Sequence, residues 1–135
     1  MRISWDDRLL IGHAEIDREH RRLFEVAERL DGEGEGCAPA VEVCEVLCEL
    51  ADYSRDHFAR EENLMRVARF PRCVEHVVEH WKFIQTLTRL NDAYERGRTE
   101  VLPELRAFLG EWLASHITGD DREFGDFLRR TGQTV

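Results

Sequence analysis

The chain has 135 residues, 42% of them hydrophobic and 35% charged, with a formal net charge of −9. That length suits one domain, residues 1–135, with a substantial core, and the composition excludes a disordered chain. The acidic balance excludes a nucleic-acid surface, and no apolar stretch is long enough for a membrane span or a signal peptide.

Residues 1–16 lack helical period and read as an N-terminal arm, with Trp5 and Leu9-Leu10-Ile11 laid across the remainder. A first helix is expected over about 17–31, with Asp17 as its N-cap. On it His20 shares a face with Ile16, Leu23, Phe24 and Ala27. Asp31-Gly-Glu-Gly-Glu-Gly is a loop, and Pro39 opens a second helix over about 39–67. Its apolar stripe reads Val43, Val46, Leu50, Tyr53 and Leu64, with His57 and Glu61 embedded in it.

A turn at Phe70-Pro71 leads to a third helix, about 71–96, which carries His76, His80, Phe83, Leu87, Leu90 and Tyr94 on one face. Gly97 is suited to stop it. The fourth helix, about 99–118, aligns Leu102, Leu105, Leu109, Trp112 and Leu113 with His116. A short tail helix, about 121–130, offers Phe124, Phe127 and Leu128 for packing. The pattern predicts an all-α, up-down-up-down four-helix bundle with an N-terminal arm and a short C-terminal helix.

The turns also set levels. Folding back at Phe70-Pro71 brings position 57 opposite 80 and position 61 opposite 76. His116 lies as far beyond Gly97 as the middle of the His76/His80 pair lies before it. His20 misses this level by about four residues, or ~6 Å of helix, which an asymmetric loop can absorb. Asp121 follows His116 by five residues, so an unbroken α-helix would turn it about 140° away, unless the chain loosens at Gly119.

Five of the six histidines, with Glu61 and Asp121, thus occupy inward faces at nearly one level. Seven buried polar groups without partners would disrupt a core, whereas a metal centre satisfies them together. His13 stands apart in the arm and is not expected to ligate. Five imidazoles and two carboxylates are too many for one zinc and suit two first-row ions. If both carboxylates bridge, the histidines divide three and two, leaving one open position on the ion with two. The four cysteines, Cys37, Cys44, Cys48 and Cys73, form no CxxC pair and read as reduced thiols of a cytoplasmic protein.

These residues resemble the bacterial haemerythrins. The resemblance rests on Trp5, Gly12, Ile16-Asp17 with His20, His57-Phe58 with Glu61-Glu62 and Met65, and Phe70-Pro71. It continues through His76, His80 and Phe83 to Trp112-Leu113, His116-Ile117 and Asp121. It implies two iron ions, one on His76, His80 and His116 and the other on His20 and His57. Glu61, Asp121 and an oxo or hydroxo group would bridge them. It further implies that dioxygen binds end-on at the two-histidine iron and is held as hydroperoxide. Two departures touch no ligand: Arg21 stands where lysine is frequent, and Phe124 where many members have tyrosine.

The expected function is reversible dioxygen binding for carriage, storage or sensing. The alternative is an enzyme acting on peroxide or nitric oxide. Leu23, Phe24, Phe58, Phe83 and Leu113, expected around the open position, are apolar and offer no acid or base for O–O cleavage. A phosphotransfer bundle would need an exposed histidine, which this pattern does not offer. The sequence names no protein partner, and Met1 with no appended domain suggests a free-standing monomer.

Overall fold

The computed structural model describes residues 5–31 and 40–134; the Gly-rich loop, Cys37 and Pro39 lie outside them. The described residues form helices α1 (Ala14–Asp31), α2 (Ala40–Ala68), α3 (Cys73–Glu95), α4 (Val101–His116) and α5 (Arg122–Thr131). A 3-10 turn, Asp7–Leu9, precedes α1, and a π-helical stretch, Ile117–Asp121, joins α4 to α5. There is no strand among the described residues. α1 packs on α2 and α4, and α3 packs on α2 and α4, which closes the four-helix bundle. The core is one cluster running from Leu9 and Ile11 to Phe124 and Leu128.

The turns follow from local chemistry. At the end of α2, Arg69 adopts φ 59° while its N–H and that of Phe70 donate to the carbonyls of Arg66 and Met65. This is a Schellman closure, and Pro71 then prevents the helix from continuing. Gly97, at φ 91°, closes α3 in the same way, with Arg98 N–H donating to the Ala93 carbonyl at 3.1 Å. From α4, the Arg106 guanidinium donates to the Leu30 carbonyl at 2.6 Å, serving an unpaired carbonyl in the last turn of α1.

Two expectations need correction. Asp17 does not cap α1, which starts at Ala14. His13 stands at that end: its carbonyl accepts from Asp17 N–H at 2.8 Å, and its Nδ1 accepts from Ile16 N–H at 3.3 Å. The Asp17 carboxylate instead accepts from the N–H groups of Ile11 and Gly12, at 2.8 and 3.1 Å, pinning the arm to the helix. Next, the buried face of α2 is centred near Glu61 rather than His57. Ser54 and Met65 are therefore buried, while Tyr53 and Leu64 move to the rim. At about 100° per residue, that small rotation decides which neighbour faces inward.

The short C-terminal helix α5 is present as expected, and the π-helical stretch joins it to α4 without a break. The i→i+5 geometry of Ile117–Asp121 accommodates one extra residue per turn, so Asp121 returns to the face of His116.

α5 holds the arm in place. Arg122 donates to the carbonyls of Arg8 and Leu10, and Arg129 donates to the Ile11 carbonyl at 2.6 Å. A Cβ at Gly125 would sit 2.5 Å from the Ile11 carbonyl oxygen, a backbone atom that cannot step aside. Gly125→Ala is therefore expected to destabilise the fold by roughly 1–3 kcal/mol through this clash. A urea melt checks it, and a midpoint equal to that of the unchanged chain would contradict the close approach.

Candidate metal centre

All seven residues singled out as ligands meet in the interior of the bundle, each no more than 4% exposed. α1 supplies His20, α2 His57 and Glu61, α3 His76 and His80, and α4 His116, with Asp121 from the π turn. The level mismatch of His20 is absorbed, for its ring centroid lies 4.7 Å from that of His57.

The carboxylates divide the histidines. His76 Nε2 lies 3.0 Å from Glu61 Oε1 and 2.6 Å from Asp121 Oδ1. His80 Nε2 is 3.1 Å from Glu61 Oε1, and His116 Nε2 is 3.2 Å from Asp121 Oδ1. The second oxygens face the other way: His20 Nε2 is 2.8 Å from Asp121 Oδ2 and 3.8 Å from Glu61 Oε2, and His57 Nε2 is 3.9 Å from Glu61 Oε2. Two adjoining ligand sets result, Glu61 and Asp121 with His76, His80 and His116, and the same carboxylates with His20 and His57.

His76 Nε2 and Asp121 Oδ1 are hydrogen-bonded, but most of the other approaches are not aligned as hydrogen bonds. The Nε2 atoms of His20 and His57, both Glu61 oxygens and Asp121 Oδ2 are buried with no aligned hydrogen-bond partner. Buried polar atoms left this way are costly, and here they are grouped around two points. The donor set, imidazole nitrogens and bridging carboxylates, is what first-row metal ions take. The residues therefore fit a pair of cations.

Three of the outward ring nitrogens are held as metal-ligating imidazoles require, whereas His20 Nδ1 is buried without a hydrogen-bond partner. His57 Nδ1 meets Glu19 Oε1 at 2.7 Å, His80 Nδ1 meets Glu62 Oε2 at 2.8 Å, and His116 Nδ1 meets Asp120 Oδ2 at 3.0 Å. Glu19 is tied in turn to Arg60. An Nδ1–H that donates to a carboxylate leaves the Nε2 lone pair for the centre. Sequence reasoning missed Glu19, Glu62 and Asp120, although each immediately precedes or follows a ligand: Glu19-His20, Glu61-Glu62 and Asp120-Asp121. That adjacency puts Glu19 and Glu62 about 100° round their helices, toward a neighbouring helix, whereas Asp120 reaches back four residues to His116 on its own helical run.

The expected apolar residues close around the site. Leu23 follows His20 by three residues, Phe83 follows His80 by three, and Leu113 precedes His116 by three. Neighbouring helices run in opposite directions, so all three move toward the same end and form one layer next to the ligands. Each is at most 2% exposed. Phe24 is buried and meets Trp5 edge-on at 5.7 Å. Phe58 stacks face to face on His80, with centroids 3.8 Å apart, on the three-histidine side. Trp112, read from sequence only as core, stacks on His116 at 4.2 Å. Cys44, Cys48 and Cys73 are free thiols and take no part.

Proton affinities follow from this crowding. Burial drives His76 toward deprotonation, but hydrogen bonds and charge from Asp121 and Glu61 outweigh it and raise its pKa to about 10. His116 is raised to about 9 against burial, by the charge of Asp121 and the hydrogen bond to Asp120. Burial and the Asp121 charge press Glu61 upward, yet close approach of His76 and His80 lowers it overall. Asp121 is held well below its ordinary value against burial, by His116 and His20.

A helical bundle enclosing two histidine–carboxylate sets that share Glu61 and Asp121 has the donor arrangement of a dinuclear metal-binding bundle. Residues 12–128 match the Hemerythrin HHE cation binding domain, and the chain belongs to the haemerythrin family. It is 38% identical to bacteriohemerythrin of Stenotrophomonas maltophilia over 127 residues, 94% of this chain and 82% of that protein. Identity to bacteriohemerythrin of Pseudomonas aeruginosa is 34% over 129 residues, 96% of this chain and 83% of that one. The crystal structure of a wild-type haemerythrin superimposes with a TM-score of 0.81 at 26% identity, covering 93% of this chain and 96% of that one. No helix among the described residues is long and apolar enough to cross a membrane.

The raised histidines give the metal-free chain a distinctive pH profile. Their folded-state values exceed the ordinary 6.5, so their stabilisation is complete below 6.5 and lost as pH rises through about 9 to 10. The lowered Glu61 and Asp121 contribute above their ordinary values of 4.5 and 3.8 and lose that contribution in acid. The melting temperature of the chelator-treated chain should therefore fall from about pH 6.5 toward pH 10. The metal-loaded chain should instead lose stability on acidification, as protons compete for the Nε2 atoms. Thermal melts with and without chelator check this, and identical profiles would contradict it.

Proposed function

We propose that this chain holds two iron ions and reversibly binds dioxygen, for carriage, storage or sensing, rather than acting as an enzyme on peroxide or nitric oxide. The observation that carries the reading is the division of each carboxylate's two oxygens between three histidines and two. His76, His80 and His116 would hold one ion, His20 and His57 the other, with Glu61, Asp121 and a solvent-derived oxygen as bridges. The bound pair supplies the two electrons and the open position that dioxygen requires.

The chain's own residues then do three things. Glu19, Glu62 and Asp120 orient His57, His80 and His116 through their Nδ1 atoms. Leu23, Phe83 and Leu113, with Phe24, keep water from the two-histidine side, whereas Phe58, stacked on His80, covers the three-histidine side. That shell presents no titratable side chain to a bound ligand, so nothing there drives O–O cleavage. Among the described residues Cys44, Cys48 and Cys73 are free thiols, which supports a reducing compartment such as the cytoplasm.

Elemental analysis of protein made in iron-replete cells should give two irons per chain, and the reduced protein's absorption spectrum should change reversibly with air. One metal or fewer per chain would refute the reading. Glu61→Ala should lose both ions, because a bridge serves both, whereas His13→Ala should keep them. Leu113→Ala should cost roughly 2–5 kcal/mol of stability by leaving a cavity. If that layer keeps water out, the oxygenated variant should also decay faster at unchanged iron content. Stopped-flow decay decides this: an unaltered rate beside the lost stability leaves Leu113 a packing role alone.

A further inference from the structure

One polar side chain in the apolar layer has no role in the site as described. Ser54 is 0% exposed, and its Oγ makes no hydrogen bond. A hydroxyl within a helix ordinarily bonds back to the carbonyl four residues earlier. Thr118 does so to Ala114 at 2.7 Å, and Thr131 to Phe127 at 2.8 Å. Ser54 does not, and a buried hydroxyl without a partner is unfavourable.

Its place in the bundle gives this meaning. Ser54 precedes His57 by three residues, as Leu113 precedes His116. It therefore joins Leu23, Phe83 and Leu113 as the α2 member of the layer next to the ligands, and it is the polar one of the four. Its nearest ligand along α2 is His57 of the two-histidine set, and Leu23 stands in the same relation to His20. The side of that set away from the shared carboxylates thus meets a layer in which Ser54 holds the one hydroxyl.

We infer that the Ser54 hydroxyl is the polar contact of the small-ligand pocket on the two-histidine side, donating a hydrogen bond to a diatomic or small anionic ligand held there. This rests on the iron and dioxygen reading. A hydroxyl suits the task because it rotates to meet its acceptor and stays neutral. It adds affinity and orientation without supplying the acid that would promote cleavage. The apolar neighbours leave little room for competing water, so the bond forms in a site where it is stronger than in solvent.

The test uses the full chain loaded with iron, with azide and dioxygen as probes, and Ser54→Ala, Ser54→Thr and Ser54→Val as variants. Threonine and valine have nearly the same shape and differ in the hydroxyl. The Ala and Val variants should keep two irons per chain, bind azide roughly tenfold more weakly in the oxidised protein, and release dioxygen faster from the reduced one. The Thr variant should stay near the unchanged chain. The metal-free Ala variant should melt no lower than the unchanged chain, since no internal bond is lost.

Azide affinity and dioxygen release within twofold of the unchanged chain in Ser54→Ala, with iron intact, would overturn the inference. Loss of iron in Ser54→Ala, restored by Ser54→Thr, would also overturn it, because the serine would then support a ligand rather than the pocket. Should the larger Val variant fail to fold, the Ala variant decides alone, since it removes a single oxygen. An unchanged chain that takes up no iron would overturn the underlying function, an outcome visible before any Ser54 variant is made.

Discussion

Two carboxylates buried side by side, Glu61 and Asp121, set the terms for this bundle. Each is 1% exposed, and like charges this close in a low-dielectric interior are tolerable only if cations surround them. Five imidazoles from four helices surround them. In the metal-free chain the carboxylates hold His76 and His116 toward protonation against burial. With metal bound the imidazoles act as neutral ligands. Protons and metal ions thus compete for the same Nε2 atoms, and the pair of carboxylates makes either state of the core acceptable.

The backbone yields to this requirement in one place. Asp121 must share a face with His116 although five residues separate them, and a regular α-helix cannot provide that. The π stretch Ile117–Asp121 resolves the conflict within one turn, and α5 continues beyond it to clamp the arm. The functional distortion and the chain closure are therefore neighbours along the same helical run. A perturbation at Gly125 or Ile11 would reach Asp121 through only a few residues.

Outside the ligands, two shells of opposite character divide the work. The acids Glu19, Glu62 and Asp120 fix ring orientation, and Glu19 links His57 to Arg60 at the surface. The layer of Leu23, Phe83 and Leu113 excludes solvent from the other direction. The polar shell governs how the histidines are presented, and the apolar layer governs what can approach them. Ser54 belongs to the second by position and to the first by chemistry.

Much of this was legible in the sequence. Pairs four residues apart, His57/Glu61 and His76/His80, must share a helical face, and the turns at Phe70-Pro71 and Gly97 must bring the faces together. These are properties of helical period and of proline and glycine backbones, which tertiary contacts scarcely alter. Other features depended on packing. Whether Tyr53 or Ser54 faces inward turns on where α2 is wedged between α1 and α3, a rotation smaller than the step between residues. Asp17 became an anchor for the arm, and His13 took the start of α1, because the arm's own N–H groups needed an acceptor. Glu19 and Glu62 gained roles only when other helices supplied their histidines, whereas Asp120 meets His116 four residues earlier on its own helical run. Local period decides which residues can share a face, but the azimuth of that face, and the partners across it, exist only once the helices pack.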